Sequence, residues 1–187
     1  CIRDRSTPAS PQGKPVAMQA GASKQGVALA VKYADAVYSV SWNIKQAKQF
    51  RQRLDDEIKR TGQTDRNLKV FPGLVTYVAE THGAALEKKA ALDNQLPIET
   101  ALNQLSFFVQ QDCHSWDLDD KVPDLPPVSE FTGPVGRYET VLEIIRDTDP
   151  IVRELLGYLN AGGGHLTLIG TPEEIVDEME HWFKEGV

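Results

Sequence analysis

Apolar residues follow two alternating rhythms along the first part of the chain. A short apolar run over residues 15–20 reads as a strand and breaks into Gly21-Ala22-Ser23. A helix is expected at once over residues 23–33, with Val27, Leu29, Ala30, Val31 and Ala34 on a broad apolar face. Ala36-Val37-Tyr38-Ser39-Val40 reads as a second strand. Residues 41–60 then predict a helix in which Ala47, Phe50, Leu54 and Ile58 recur at helical spacing and Gly62 closes the run. A strand over residues 68–78 contains Phe71-Pro72-Gly73 and is expected to kink or bulge there. Strands alternating with helices of this length predict an α/β fold of parallel units, which place ligands at the carboxyl ends of their strands.

The second half is less regular. Helices are expected over residues 83–95 and 97–108, the latter with Pro97 in its first turn. Residues 111–136 are rich in Asp and Pro with scattered apolar positions, and read as an extended surface insertion. Helical patterning returns over residues 138–146 and 149–159, with Asp149 as the expected cap of the second helix and Pro150 behind it. Gly162-Gly163-Gly164-His165 then leads into a strand-like run over residues 166–169. Thr171-Pro172-Glu173-Glu174 is a capping box, opening a helix whose Ile175, Met179, Trp182 and Phe183 make one apolar stripe.

The strand-to-helix junction at Gly21-Ala22-Ser23 is the strongest candidate for chemistry. Unpaired backbone N–H groups and the positive end of a helix converge there, which suits a phosphate. Gly21 permits a close approach and Ser23 offers a cap oxygen and a hydroxyl; an ordinary turn capped by Ser23 is the competing reading, and both stay open. Gln19 reads as a polar plug rather than a ligand contact. His165 is either a pocket-facing hydrogen-bonding or acid/base group, and so the candidate catalytic residue, or simply the close of the glycine turn. Asp112, Cys113 and His114 beside Asp117, Asp119 and Asp120 have no zinc or EF-hand spacing and read as a solvated acidic loop, so no metal is expected. His181 reads as a surface residue. The junction lacks the Gly-Lys-Ser/Thr ending of a nucleotide-binding P-loop, which removes a nucleoside triphosphatase from consideration.

Composition narrows the partners. With 41% hydrophobic and 25% charged residues the chain is globular, and its net charge of −7 argues against nucleic acid or an anionic membrane as main partner. Cys1 and Cys113 are the only cysteines, so a disulfide framework is not expected and the cytoplasm is the default compartment.

One family resemblance is specific. Pro11-Gln12-Gly13-Lys14-Pro15-Val16-Ala17-Met18-Gln19-Ala20-Gly21-Ala22-Ser23, then Gly26, then Tyr33-Ala34-Asp35-Ala36-Val37-Tyr38 resembles the central signature of the flavin-dependent monooxygenases related to nitrilotriacetate monooxygenase. That group includes the dibenzothiophene sulfone and long-chain alkane monooxygenases and lies within the bacterial luciferase-like superfamily. Lys69-Val70-Phe71-Pro72-Gly73-Leu74 and residues 163–174 match two later landmarks in order. The resemblance implies a (β/α)8 TIM barrel, reduced FMN supplied by a separate flavin reductase, and use of O2 to oxygenate a small organic substrate; a homo-oligomer is possible. It implies that Gly21, Ala22 and Ser23 bind the FMN phosphate, although the family commonly has Ser where Ala22 stands. It also implies that the strands correspond to the fifth to seventh of the barrel, within a single domain over residues 11–187 carrying an insertion at about 83–160. Residues 1–10 read as flanking sequence, and 187 residues fall short of the roughly 250 of a whole barrel, so a carboxyl-side fragment, inactive alone, is expected. A non-catalytic flavin- or phosphate-binding module and a deazaflavin-dependent oxidoreductase of the same superfamily are the alternatives.

Overall fold

The computed structural model describes residues 10–133, 135–160 and 162–187, so the flanking reading of the first residues falls almost wholly outside what is described. The α/β expectation holds. Strands β1 (Met18–Ala20), β2 (Ala36–Ser39) and β3 (Lys69–Pro72) form one parallel sheet in that order; β4 (Leu74–Val78) and β5 (Leu166–Gly170) form a second, also parallel. Among the described residues these five strands do not close into a barrel.

The single strand expected over residues 68–78 is two. Pro72 ends β3, and the Gly73 N–H still reaches the Ser39 carbonyl at 2.8 Å before Leu74 opens β4 in the other sheet. The break has a steric cause: a Cβ on Gly73 would lie 2.1 Å from the His165 ring and 2.3 Å from the Tyr38 hydroxyl. Only glycine lets both side chains cross the backbone here.

Helices α1 (Lys24–Tyr33) and α2 (Ile44–Thr61) pack on the first sheet through Val27, Ala30, Val31, Val37, Phe50, Leu54, Ile58 and Leu68. Ser23 caps α1 as the sequence suggests, its Oγ accepting the Gly26 N–H at 3.1 Å. Leu29, expected on the apolar face, is exposed instead. Helix α2 begins at Ile44 behind its cap Asn43, rather than at residue 41, whose Ser is buried, and Gly62 closes the helix in the left-handed conformation.

Helices α3 (His82–Asp93), α4 (Ile98–Val109), α5 (Val135–Thr148) and α6 (Val152–Asn160) follow β4. The last three share a second core built on Leu105, Tyr138, Val141, Ile144, Leu155 and Leu156, joined by Trp42 from the segment before α2. Within the expected insertion, residues 111–127 are irregular apart from an isolated bridge at Lys121, a 3-10 turn follows over Val128–Glu130, and α5 has already begun at Val135, but the apolar residues are not scattered over the surface. Cys113 is fully buried, and Trp116, Leu118, Val122, Leu125, Val128 and Phe131 anchor it to this core; the Phe131 ring stacks on Tyr138 at 3.9 Å. Asp and Pro spacing hid that role, because single anchors in a coil have no periodicity.

Two expected helix starts shift. Pro97 stands at the cap position of α4, not within its first turn. Asp149 caps nothing: it sits at φ 44°, takes an ion pair from Lys121 at 2.7 Å, and α6 begins only at Val152. Helix α7 (Pro172–Lys184) has the predicted capping box, Thr171 and Glu174 bonding each other's backbone N–H. Of its stripe, Ile175 and Trp182 are buried whereas Met179 and Phe183 are exposed, Phe183 by 82%.

Candidate functional site

The junction after β1 is compact. Gly21 has φ 134°, a backbone region that favours glycine, and Ser23 is extended before α1 begins. The first turn of α1 presses on the loop, since a Cβ on Gly26 would sit 2.9 Å from the Gly21 carbonyl oxygen. The N–H groups of Lys24 and Gln25 have no acceptor within the helix, and Ser23, with its lone pair on Gly26, keeps its hydroxyl hydrogen to donate. Gly21, Ala22 and Ser23 are all exposed. Gln19 lies beside the loop, its amide nitrogen on the Ala20 carbonyl at 2.7 Å and its Oε1 buried without a partner.

A cleft of about 1230 Å³ opens from this loop. Gly21, Ala22, Ser23 and Lys24 line one end, Tyr38 and His165 another part of its wall, α2 supplies Lys45 and Arg53, and α5 supplies Arg137, Glu139, Glu143 and Arg146. The structure thus brings His165 into the same cleft as the Gly21-Ala22-Ser23 loop, although the two are far apart in sequence. His165 Nε2 lies 2.7 Å from the Tyr38 hydroxyl, and Nδ1 lies 2.9 Å from the Gly162 carbonyl. Arg137 is held against the same glycine turn, donating to the Gly163 carbonyl at 2.7 Å while its guanidinium lies over Phe108. The cleft lining carries five Lys or Arg against two Glu in a chain whose net charge is −7, so cationic groups are concentrated here. Burial alone would raise the Glu143 pKa, but hydrogen bonds from Arg146, Asn43 and Lys45 hold this carboxyl at about 2.

Tyr38, Arg53 and Arg137 were not singled out from the sequence. Tyr38 carried a usable signal, its position near the carboxyl end of a strand. Arg53 and Arg137 carried none, because they reach the cleft only through helix packing.

The remaining candidates lie elsewhere. His114 Nδ1 contacts the Asp112 carboxylate at 2.6 Å, Asp117 accepts the Asp119 N–H, and Asp119 pairs with Arg153. Cys113 is enclosed beside them, and burial pushes its thiol pKa up. Among the described residues no three His, Cys, Asp or Glu side chains converge as metal ligands. His181 is exposed on α7. Among the described residues no helix is long and apolar enough to cross a membrane.

The comparisons with known proteins agree with this architecture. The family model for luciferase-like monooxygenases matches residues 3–187. Nitrilotriacetate monooxygenase component A of Aminobacter aminovorans is 34% identical over 180 residues, covering 95% of this chain and 39% of that protein. N-acetyl-S-(2-succino)cysteine monooxygenase of Bacillus subtilis is 30% identical over 175 residues, covering 92% of this chain and 39% of the relative. The crystal structure of DmoA from Hyphomicrobium sulfonivorans superposes with a TM-score of 0.73 at 25% identity, over 97% of this chain and 37% of that one. The chain therefore spans about two fifths of the length of these relatives. With nearly its whole length matched by one family model, the chain belongs to the luciferase-like monooxygenase family.

Proposed function

We propose that this chain carries the phosphate-binding side of an FMN-dependent monooxygenase that oxygenates a small organic substrate. Its five strands are read as part of a (β/α)8 barrel, the other strands corresponding to the portions of the relatives that this chain does not span. The observation that carries the reading is the Gly21-Ala22-Ser23 loop, set at a helix N-terminus and opening into a cleft lined by Lys and Arg.

The donor set fits a phosphate dianion. Backbone N–H groups of Ala22, Ser23 and Lys24, the Ser23 hydroxyl and the Lys24 ammonium are the groups that would hold it, and Ala22 contributes no hydroxyl. Gly21 and Gly26 keep the loop close against α1, so that an anion meets the helix end rather than side chains. When bound, reduced FMN supplies the electrons that activate O2 for transfer of one oxygen atom to the substrate. In this reading a separate flavin reductase provides the reduced cofactor. The chain's own part is to anchor the phosphate and line the cleft with cations that favour anionic groups.

The test is titration of the chain with FMN and with riboflavin, followed by flavin fluorescence. Tighter binding of FMN that is weakened by Ser23→Ala and more strongly by Gly21→Val is the expected outcome. Equal affinity for the two flavins, or binding of neither, overturns the assignment.

A further inference from the structure

The hydrogen bonds around His165 fix where its proton sits. Nδ1 faces the Gly162 carbonyl oxygen at 2.9 Å, and a carbonyl only accepts, so Nδ1 carries hydrogen. In the neutral ring Nε2 is then the acceptor, and the Tyr38 hydroxyl donates to it across 2.7 Å. The arrangement is held from several sides. The His165 backbone N–H also bonds Gly162, Arg137 fixes the Gly163 carbonyl, and Gly73 leaves the space both side chains occupy.

This wiring constrains what Tyr38 offers the cleft. With its hydrogen on His165, the hydroxyl has only lone pairs to present, and it repels an anion. When the imidazole takes a second proton, Nε2 becomes a donor, the Tyr38 oxygen accepts from it, and the phenolic hydrogen is released toward the cleft. Nδ1–H stays on Gly162 in both states. One proton added to His165 therefore turns Tyr38 from acceptor to donor, with no side chain moving.

We propose that Tyr38 is a contact for an anionic ligand in the cleft and that His165 sets, by its protonation, whether that contact is attractive. The inference rests on the reading that the cleft takes an anionic ligand. The charged side chains that share the cleft with the pair are Lys24 from α1, Lys45 and Arg53 from α2, and Arg137, Glu139, Glu143 and Arg146 from α5. Lys45 and Arg146 are both paired to Glu143, and Arg137 is held on the Gly163 carbonyl of the glycine turn that carries His165. Among the described lining residues His165 is the one imidazole, the one ring that can both accept and donate at Nε2 according to its proton count.

The experiment uses the isotopically labelled chain. Imidazole nitrogen shifts of His165 and the ring carbon bearing the Tyr38 hydroxyl are followed from acid to mildly alkaline pH, in the wild type, Tyr38→Phe and His165→Gln. Nδ1 is expected to stay protonated throughout, and the Tyr38 signal to follow the His165 step and lose it in His165→Gln. Sulfate, whose charge is constant over this range, is then titrated in. We expect it to bind about fivefold more tightly on the acid side of the step, the worth of roughly one hydrogen bond, and the dependence to vanish in both variants. Three results would each overturn the proposal: a neutral ring protonated at Nε2, wild-type sulfate affinity unchanged across the step, or a dependence that survives in Tyr38→Phe. The wild-type titration decides the first two even if a variant fails to fold. Failure here with FMN still preferred over riboflavin removes the Tyr38 contact alone. The sulfate dependence without that preference removes the phosphate-loop reading alone.

Discussion

Replacing Gly26 by Ala sets two opposed effects against each other. Glycine in a helix costs about 0.5–1 kcal/mol relative to alanine, so the substitution should stabilise α1 if the site were open. It is not open: the new methyl would lie 2.9 Å from the Gly21 carbonyl oxygen, 3.2 Å from its carbon and 3.3 Å from the Gln19 amide nitrogen. Two of these neighbours are backbone, which cannot swing aside, and overpacking of this kind costs about 1–3 kcal/mol. The clash therefore wins, and the strain falls on the loop that we assign to the phosphate. Gly83 provides the control. It occupies the first turn of α3, as Gly26 does in α1, with nothing within 4 Å of a built Cβ. Gly83→Ala should raise the thermal midpoint by about 1–4 °C, the shift that roughly 0.5–1 kcal/mol gives in a domain of this size. Gly26→Ala should lower the midpoint or leave it unmoved, and should weaken FMN binding. Calorimetry of both variants with flavin titration makes the comparison. If Gly26→Ala gains as much stability as Gly83→Ala and binds FMN unchanged, the close contact of loop and helix is refuted.

Ser23→Ala removes the cap of α1 together with the hydroxyl we assign to the phosphate, and should cost about 1 kcal/mol in denaturant unfolding as well as FMN affinity; stability unchanged would mean that Gly26 N–H finds another acceptor. Ala22→Ser, at an exposed position, should leave stability unchanged and tighten FMN up to about fivefold, so loss of FMN binding in a titration would show the loop geometry to differ from that assigned. The Glu143 pKa is depressed from its ordinary 4.5 to about 2, so its stabilisation is full above about pH 4.5 and lost as the pH falls toward 2. Because Arg146 and Lys45 are more than half exposed, about 1–2 kcal/mol is expected after screening; the melting difference between wild type and Glu143→Gln should shrink across that window, and a constant difference would contradict it. Lys89 pairs with Asp93 at a nearly buried site and lies 4.3 Å from the Tyr158 ring centre, while Asp93 Oδ1 has no partner. Lys89→Met should cost about 3 kcal/mol by stranding that carboxylate, with partial recovery in the Lys89→Met, Asp93→Asn double variant; an unchanged urea midpoint for the single variant would show that the pair is solvated.

The sequence determined what is local. The switch from strand to helix at Ser23, the α1 and α2 stripes, the Gly62 stop and the Thr171 capping box are written in nearest neighbours, because caps and helical periodicity act within a few residues. The alternation of strands with helices over the first part of the chain and the place of the Gly21-Ala22-Ser23 loop at a strand end were legible for the same reason. Tertiary structure decided the rest. Residues 111–136 have a coil pattern, yet their isolated apolar side chains anchor a core that only the packing of α4, α5 and α6 creates. Asp149 has cap chemistry, but Lys121 captures it from a distant loop. Phe183 completes a stripe on paper and is exposed, because helical spacing sets a direction and not a neighbour. His165 could be read as pocket group or turn closure until Gly73, lacking a side chain, let it meet Tyr38 across 127 positions of sequence. Contacts of that separation are fixed by chain topology, which no local pattern encodes.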